Sequence, residues 1–214
     1  MKITGPFGFP RNGPVRAYAR SMSRALLIVD IQNDFTEGGA LGVAGGDAVA
    51  SAVSAFLEVH AADYEVIIAS RDWHDATGDN GGHFAENPDY VDTWPVHCVE
   101  GTDGADYDPL LVTDAVTHHV RKGQGKPAYS MFEGVTDAGG TVSAVLAQAG
   151  VLSADVVGIA TDYCVRASAL DALAHGVRVR VLTDLIAGVA PEPSEAALAE
   201  LAHAGAELVE SSEA

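Results

Sequence analysis

Cysteine is scarce in this chain: Cys98 and Cys164 are the only two in 214 residues. Two cysteines cannot build a disulfide framework, and the composition suits a reducing cytoplasm, although a single bridge between them stays open. Basic residues are scarce as well, 12 against 30 acidic ones. The resulting net charge of -18 argues against nucleic acid or an anionic membrane surface as a partner. No apolar run approaches the roughly 20 residues needed to cross a bilayer. Met1–Ser23 lacks the apolar centre of a secretory signal and is rich in Gly, Pro and Arg. It reads as a disordered leader or a non-native extension, with Met22 a sensible start. An arm packed on a neighbouring subunit of a homo-oligomer is the alternative. Residues 24–214 then make one domain, since the length supports one full core and not two comfortable ones.

From Arg24 a βα rhythm begins. Ala25–Val29 is a buried-strand run ending at Asp30. Gly46–Ala62 reads as a helix, with Val49, Val53 and Leu57 on one stripe. Tyr64–Ser70 and Ala115–Val120 read as the next strands, and Gly139–Ala149 as a helix stopped by Gly150. Asp155–Ala160 is a strand, Tyr163–His175 a helix, Val177–Leu182 a strand, Pro193–Ala204 a helix and Glu207–Val209 a short last strand. Strands that alternate with helices pair in parallel. The expected fold is therefore α/β, a three-layer α/β/α domain with a mainly parallel sheet of about six strands. Ligands bind such sheets beyond the carboxyl ends of the strands. Asp30, Asp72 with His74, Lys122 and Cys164 each follow a different strand, so all should reach one edge. The long segment Arg71–Pro109 has no clear periodicity, and a loop of that length inside a domain is usually functional.

Cys164 sits between a strand and a helix start, where Thr161 or Asp162 could cap. A thiol in the first helical turn faces unpaired N–H groups and the positive dipole end, which favour thiolate and can form an oxyanion hole. Position alone fits a small buried core cysteine equally well. Asp30, an acid closing an apolar strand, is either structural or a general base in a dry pocket. Lys122 could hold Asp30 and Cys164 in place, although a lysine is more often simply exposed. Asp72 and His74, at i and i+2 on an extended segment, can face the same way, and His83 and His97 follow on the long loop. One carboxylate with two or three imidazoles suits one divalent cation, Zn²⁺ foremost and Fe²⁺ or Mn²⁺ otherwise. Solvated loop histidines are the alternative.

Five motifs together resemble the nicotinamidase branch of the isochorismatase-like cysteine hydrolases. They are Leu27-Ile-Val-Asp-Ile-Gln-Asn-Asp-Phe35, Ser70-Arg-Asp-Trp-His74, Trp94-Pro-Val-His-Cys98, Arg121-Lys-Gly123 and Gly158-Ile-Ala-Thr-Asp-Tyr-Cys-Val165. The likeness runs in order through nearly all of Arg24–Val209. It implies a catalytic triad of Asp30, Lys122 and Cys164, and a metal on Asp72, His74 and His97 with His83 as a further ligand. It also implies a cis peptide before Ala160, with the Ala160 and Cys164 N–H groups as the oxyanion hole. Phe35, Trp94 and Tyr129 look like aromatic walls of a flat pocket, or else ordinary core packing. The activity implied is hydrolysis of a small carboxamide, nicotinamide, to nicotinate and ammonia through a thioester. Rivals on the same scaffold are an amidase for carbamoyl or ureido substrates, which would lack the metal residues, and isochorismate hydrolysis, which would not use the cysteine. A non-catalytic metal- or ligand-binding protein is the rival from outside enzymology.

Overall fold

The computed structural model describes residue 1 and residues 23–214; segment 2–22 of the expected leader lies outside the described residues. The first strand, β1 (Arg24–Val29), is apolar without alternation, as a strand covered on both faces requires. It lies at the centre of a seven-stranded sheet. The others are β2 (Val66–Asp72), β3 (His118–Lys122), β4 (Val135–Thr136), β5 (Ser153–Ile159), β6 (Arg178–Ala187) and β7 (Glu207–Val209), in the order β4-β3-β2-β1-β5-β6-β7. Every neighbouring pair is parallel except β3 with β4. The pleat of β1 divides the core. Leu26 and Ile28 pack towards α1 (Gly46–His60), while Ala25, Leu27 and Val29 pack towards α2 (Val142–Gln148), α3 (Arg166–Ala174) and α4 (Pro191–Ala204). The expected three layers are present, with one helix on one face and three on the other.

The differences from expectation have local causes. The seventh strand, β4, is a two-residue antiparallel edge, too short to leave a sequence pattern. β3 starts at His118 because the Thr117 hydroxyl accepts from the Ile67 N–H and donates to the Ile67 carbonyl, ending the preceding loop. It then runs through Lys122, and β2 runs through Asp72, so both residues end strands rather than follow them. β6 continues to Ala187 past an irregularity in its pairing with β5. α2 begins at Val142, where the Thr141 hydroxyl accepts from the Ala144 N–H. α4 begins at Pro191, whose fixed φ suits a first helical turn. Among the described residues no helix is long and apolar enough to cross a membrane.

Gly158 shows how tightly the sheet closes beneath the site. It pairs with Val29, has φ +118°, and a Cβ there would run into the Val29 main chain. Gly158→Ala is expected to lose about 3 kcal/mol or more of stability in urea unfolding. A loss under about 1 kcal/mol would contradict this close approach.

Candidate active site

Asp72 and Lys122 are register partners across β2 and β3, so their side chains leave the sheet on the same face. The Lys122 ammonium is completely buried. Its three protons are all used: Nζ donates to Asp72 Oδ1 at 2.6 Å, to the Ala128 carbonyl at 3.1 Å and to Cys164 Sγ at 3.6 Å. Asp30, just past β1, lies with Oδ2 2.9 Å from the same nitrogen but outside hydrogen-bonding direction, so Oδ2 keeps its lone pairs. Its Oδ1 accepts from the Ser70 hydroxyl at 2.7 Å. An oxygen from each of Asp30 and Asp72 and the Cys164 sulfur lie within 4.8 Å of one another. The surface-lysine and isolated-core-cysteine alternatives therefore fall away.

The electrostatics correct one expectation. The Cys164 thiol is pushed well above its ordinary pKa by burial, with Asp30 and Asp72 adding to the rise and Lys122 opposing it. The resting group is a thiol, not the dipole-stabilised thiolate. Cys164 also lies in one π-helical turn, Thr161–Val165, rather than at the start of a regular helix. Neither Thr161 nor Asp162 caps it. The Asp162 carboxylate instead accepts from the Val189 and Ala190 N–H groups ahead of α4. Asp30 is raised by burial against the pull of Lys122, which makes it a stronger base than a solvated carboxylate. Burial alone would depress Lys122, but Asp30 and Asp72 outweigh it and hold the ammonium charged.

Beside this triad, ring nitrogens of His74, His83 and His97 lie within 4.8 Å of one another. Asp72 Oδ2 is 3.8 Å from Nε2 of both His74 and His97. Nδ1 of His74 pairs with the Gly123 carbonyl at 2.9 Å, and Nδ1 of His97 with the Pro95 carbonyl at 2.8 Å. Those bonds place the protons on Nδ1 and leave Nε2 lone pairs facing inward. Nε2 of His74 and Nδ1 of His83 are buried without a hydrogen-bond partner. Orphaned nitrogens of His74 and His83 close to His97, with Asp72 Oδ2 near His74 and His97, fit a divalent cation with nitrogen and oxygen donors. The protonation states agree. Burial, with His74 and His97 adding, lowers His83 to about 4. Burial also lowers His97. Burial would raise Asp72, but Lys122 and the two histidines override it and hold the carboxylate ionised.

Both groups open into one cavity of about 310 Å³, lined by Asp72, His83, His97, Ala160 and Cys164 within and by Phe35, Trp94 and Tyr129 as walls. The Ile159–Ala160 peptide is cis. Trp94 Nε1 donates to Tyr129 Oη at 3.0 Å. Tyr163, absent from the sequence-based set, completes the wall: it stacks on Tyr129 at 5.9 Å and meets Trp94 edge-on at 5.1 Å. Its place next to Cys164 was the available signal. Phe84, also missed, packs edge-on against His74 and His97. Cys98 is fully buried beneath the site and its N–H donates to Asp34 Oδ2, a structural role.

The fold and this pairing of a thiol–carboxylate–ammonium group with a histidine-rich cation site define a class of hydrolases. The isochorismatase domain profile matches residues 24–213, and the chain belongs to that family. It is 51% identical over 189 residues to the nicotinamidase/pyrazinamidase of Mycobacterium tuberculosis, covering 88% of this chain and 100% of that protein. Among solved structures it is similar to the pyrazinamidase of Pyrococcus horikoshii in complex with zinc (TM-score 0.74, 38% identity, 88% of this chain and 99% of that one). It is also similar to PnC1 from L. infantum in complex with nicotinate (TM-score 0.76, 34% identity, 90% and 94%).

Two predictions follow from the charges. Lys122→Met leaves two buried carboxylates without their ammonium and is expected to cost about 3–5 kcal/mol in chemical unfolding; a neutral result would mean the pair is not buried in solution. In the cation-free protein, unfolded His83 binds a proton below pH ~6.5 but the folded residue only below ~4. The unfolded state therefore takes up more protons between these values, and melting temperature falls as pH drops through that window. His83→Asn should make the fall shallower; an unchanged profile would remove His83 as its source.

Proposed function

We propose that this chain hydrolyses nicotinamide to nicotinate and ammonia. The observation that carries the reading is that Cys164, Asp72, His83 and His97 line one cavity with Phe35, Trp94 and Tyr129, with Asp30 close to Cys164 and His74 close to His83 and His97. The similarity to a curated nicotinamidase/pyrazinamidase and to a nicotinate complex supports it. The cation residues separate it from carbamoyl or ureido amidases on this scaffold, and the cysteine separates it from isochorismate hydrolysis.

In the proposed reaction Asp30 Oδ2 takes the proton of Cys164 and Sγ attacks the carboxamide carbon. The N–H groups of Ala160 and Cys164 receive the developing oxyanion. Asp30 returns the proton to the departing nitrogen, ammonia leaves, and a thioester to Cys164 remains. Asp30 then draws a proton from water, whose oxygen attacks the thioester carbon. The C–S bond breaks, the proton on Asp30 returns to Sγ, and nicotinic acid departs and ionises to nicotinate, giving its proton to water or ammonia. Lys122 stays charged throughout and keeps Asp30 and Sγ in register. Phe35, Trp94, Tyr129 and Tyr163 hold the flat ring and keep water out. Asp72, His74, His83 and His97 would hold a divalent cation, which would supply a Lewis acid to orient the ring. Zn²⁺ is the assignment we make; Fe²⁺ and Mn²⁺ accept the same donors. The two buried, unpaired cysteines suit work in a reducing cytoplasm.

The test is ammonia release from nicotinamide, before and after chelation and again after Zn²⁺ is restored. The wild-type protein should release ammonia, lose the activity with the cation and regain it. Cys164→Ala should fall by about 10³-fold or more while its cation content is unchanged. No ammonia from the Zn²⁺-loaded wild type would overturn the substrate assignment, and full activity in Cys164→Ala would overturn the nucleophile.

A further inference from the structure

Asp72 and His74 lie where β2 has outrun its neighbour. β1 pairs with β2 only as far as Ile28 and Ala69, and the chain then turns aside at Asp30, whose φ is +46°. Gln32 takes over the pairing. Its Oε1 accepts from the Asp72 N–H at 2.7 Å and its Nε2 donates to the Asp72 carbonyl at 2.9 Å. The second Nε2 proton goes to the Ala105 carbonyl at 2.9 Å. A fully buried side-chain amide thus makes the two-point bond that a strand residue would make.

The other end of the segment is held in the same way. Asn80 Oδ1 accepts from the Asp75 N–H at 2.9 Å and Nδ2 donates to the Asp75 carbonyl at 3.1 Å. The same oxygen accepts from the Gly125 N–H at 3.2 Å, linking this clamp to the chain just beyond Lys122. Asn80 is buried and has φ +49°, which asparagine tolerates better than most residues. Between the clamps, Trp73 N–H donates to the Lys122 carbonyl, and His74 exchanges bonds with Cys98 and Glu100. Neither Gln32 nor Asn80 lines the cavity.

We infer that Gln32 and Asn80 are positioning residues of the cation site, two amide clamps that fix the main chain at Asp72 and Asp75 so that Asp72 and His74 meet His83 and His97 in place. The inference rests on the cation-site reading above. Its physical basis is preorganisation: a ligand segment already ordered loses little freedom when the cation arrives. Partners that orient ligands in this way typically contribute about 10- to 100-fold in metal affinity.

Gln32→Met keeps length and burial but removes the amide. Asn80→Gly keeps access to φ above zero and removes the other. Zn²⁺ affinity is measured by competition with a chromophoric chelator, and ammonia release from nicotinamide at limiting and saturating Zn²⁺. Each variant should bind Zn²⁺ about 10- to 100-fold more weakly, lose activity at limiting Zn²⁺, and regain a near wild-type kcat at saturation. If Gln32→Met does not fold, Asn80→Gly alone decides. Wild-type affinity in the folded variants overturns the inference, as does activity that excess Zn²⁺ does not restore. A wild-type protein with no Zn²⁺ affinity overturns the cation-site reading itself and the inference with it.

Discussion

The rest of the site depends on the buried ammonium of Lys122. A full charge without water is tolerated only where opposite charge and hydrogen bonds replace the solvent. Here two carboxylates do so, and each has a second task. Asp72 gives Oδ1 to the ammonium and turns Oδ2 towards two histidines. Asp30 accepts from the Ser70 hydroxyl through Oδ1 and meets the ammonium through Oδ2 by charge, without a directed hydrogen bond. One lysine thus joins the Asp30–Cys164 pair to the Asp72–histidine cluster. The Asp72–Lys122 contact that joins them is set by the β2–β3 register.

Magnitudes explain why the thiol rests protonated. A helix terminus contributes about 0.3–1 kcal/mol to a nearby charge, and up to about 2 in favourable partly buried settings. Desolvating an ion in a protein interior costs several kcal/mol. With two carboxylates against one ammonium, the local charge also opposes a further anion. In the proposed reaction the thiolate forms only as its proton passes to Asp30, whose own pKa burial raises. A more exposed cysteine would ionise more readily, but its thiolate would be solvated and open to oxidation.

Much of this was legible in the sequence, and the limits have physical reasons. Parallel topology forces strand ends to one edge, so Asp30, Asp72, Lys122 and Cys164 could be brought together from the βα rhythm alone. Burial of Lys122 could not be read from the pattern, because Val-Arg-Lys-Gly is equally a surface turn; what decides is the partner across the strand. His83 lies on a loop with no period, and its place depends on Asn80 and on the Phe84–Trp94 pairing. Gln32 and Asn80 stood inside the motifs or the long loop without a distinguishing mark. A side-chain amide that replaces a strand bond is recognisable only once the missing strand is seen. β4 is two residues long, below what any periodicity can register.

The aromatic wall suggests what the cavity selects. Trp94 spends its N–H on the Tyr129 hydroxyl, and Tyr163 packs against both rings. The wall presents ring surface to the cavity, which favours flat ligands. Polar recognition falls to the floor, where Cys164 with Ala160 forms one pole and the histidines the other, joined through Asp72. Under the proposed reaction, a molecule that satisfies both poles needs an electrophilic carbon at one and a lone pair at the other, held apart by a rigid flat frame. A flexible amide could offer both groups but would lose the freedom of each torsion on binding, at about 0.5–1.5 kcal/mol per immobilised group. An aromatic carboxamide with a ring nitrogen carries both groups on one rigid frame, which is why the proposed double site and the aromatic wall suit one another.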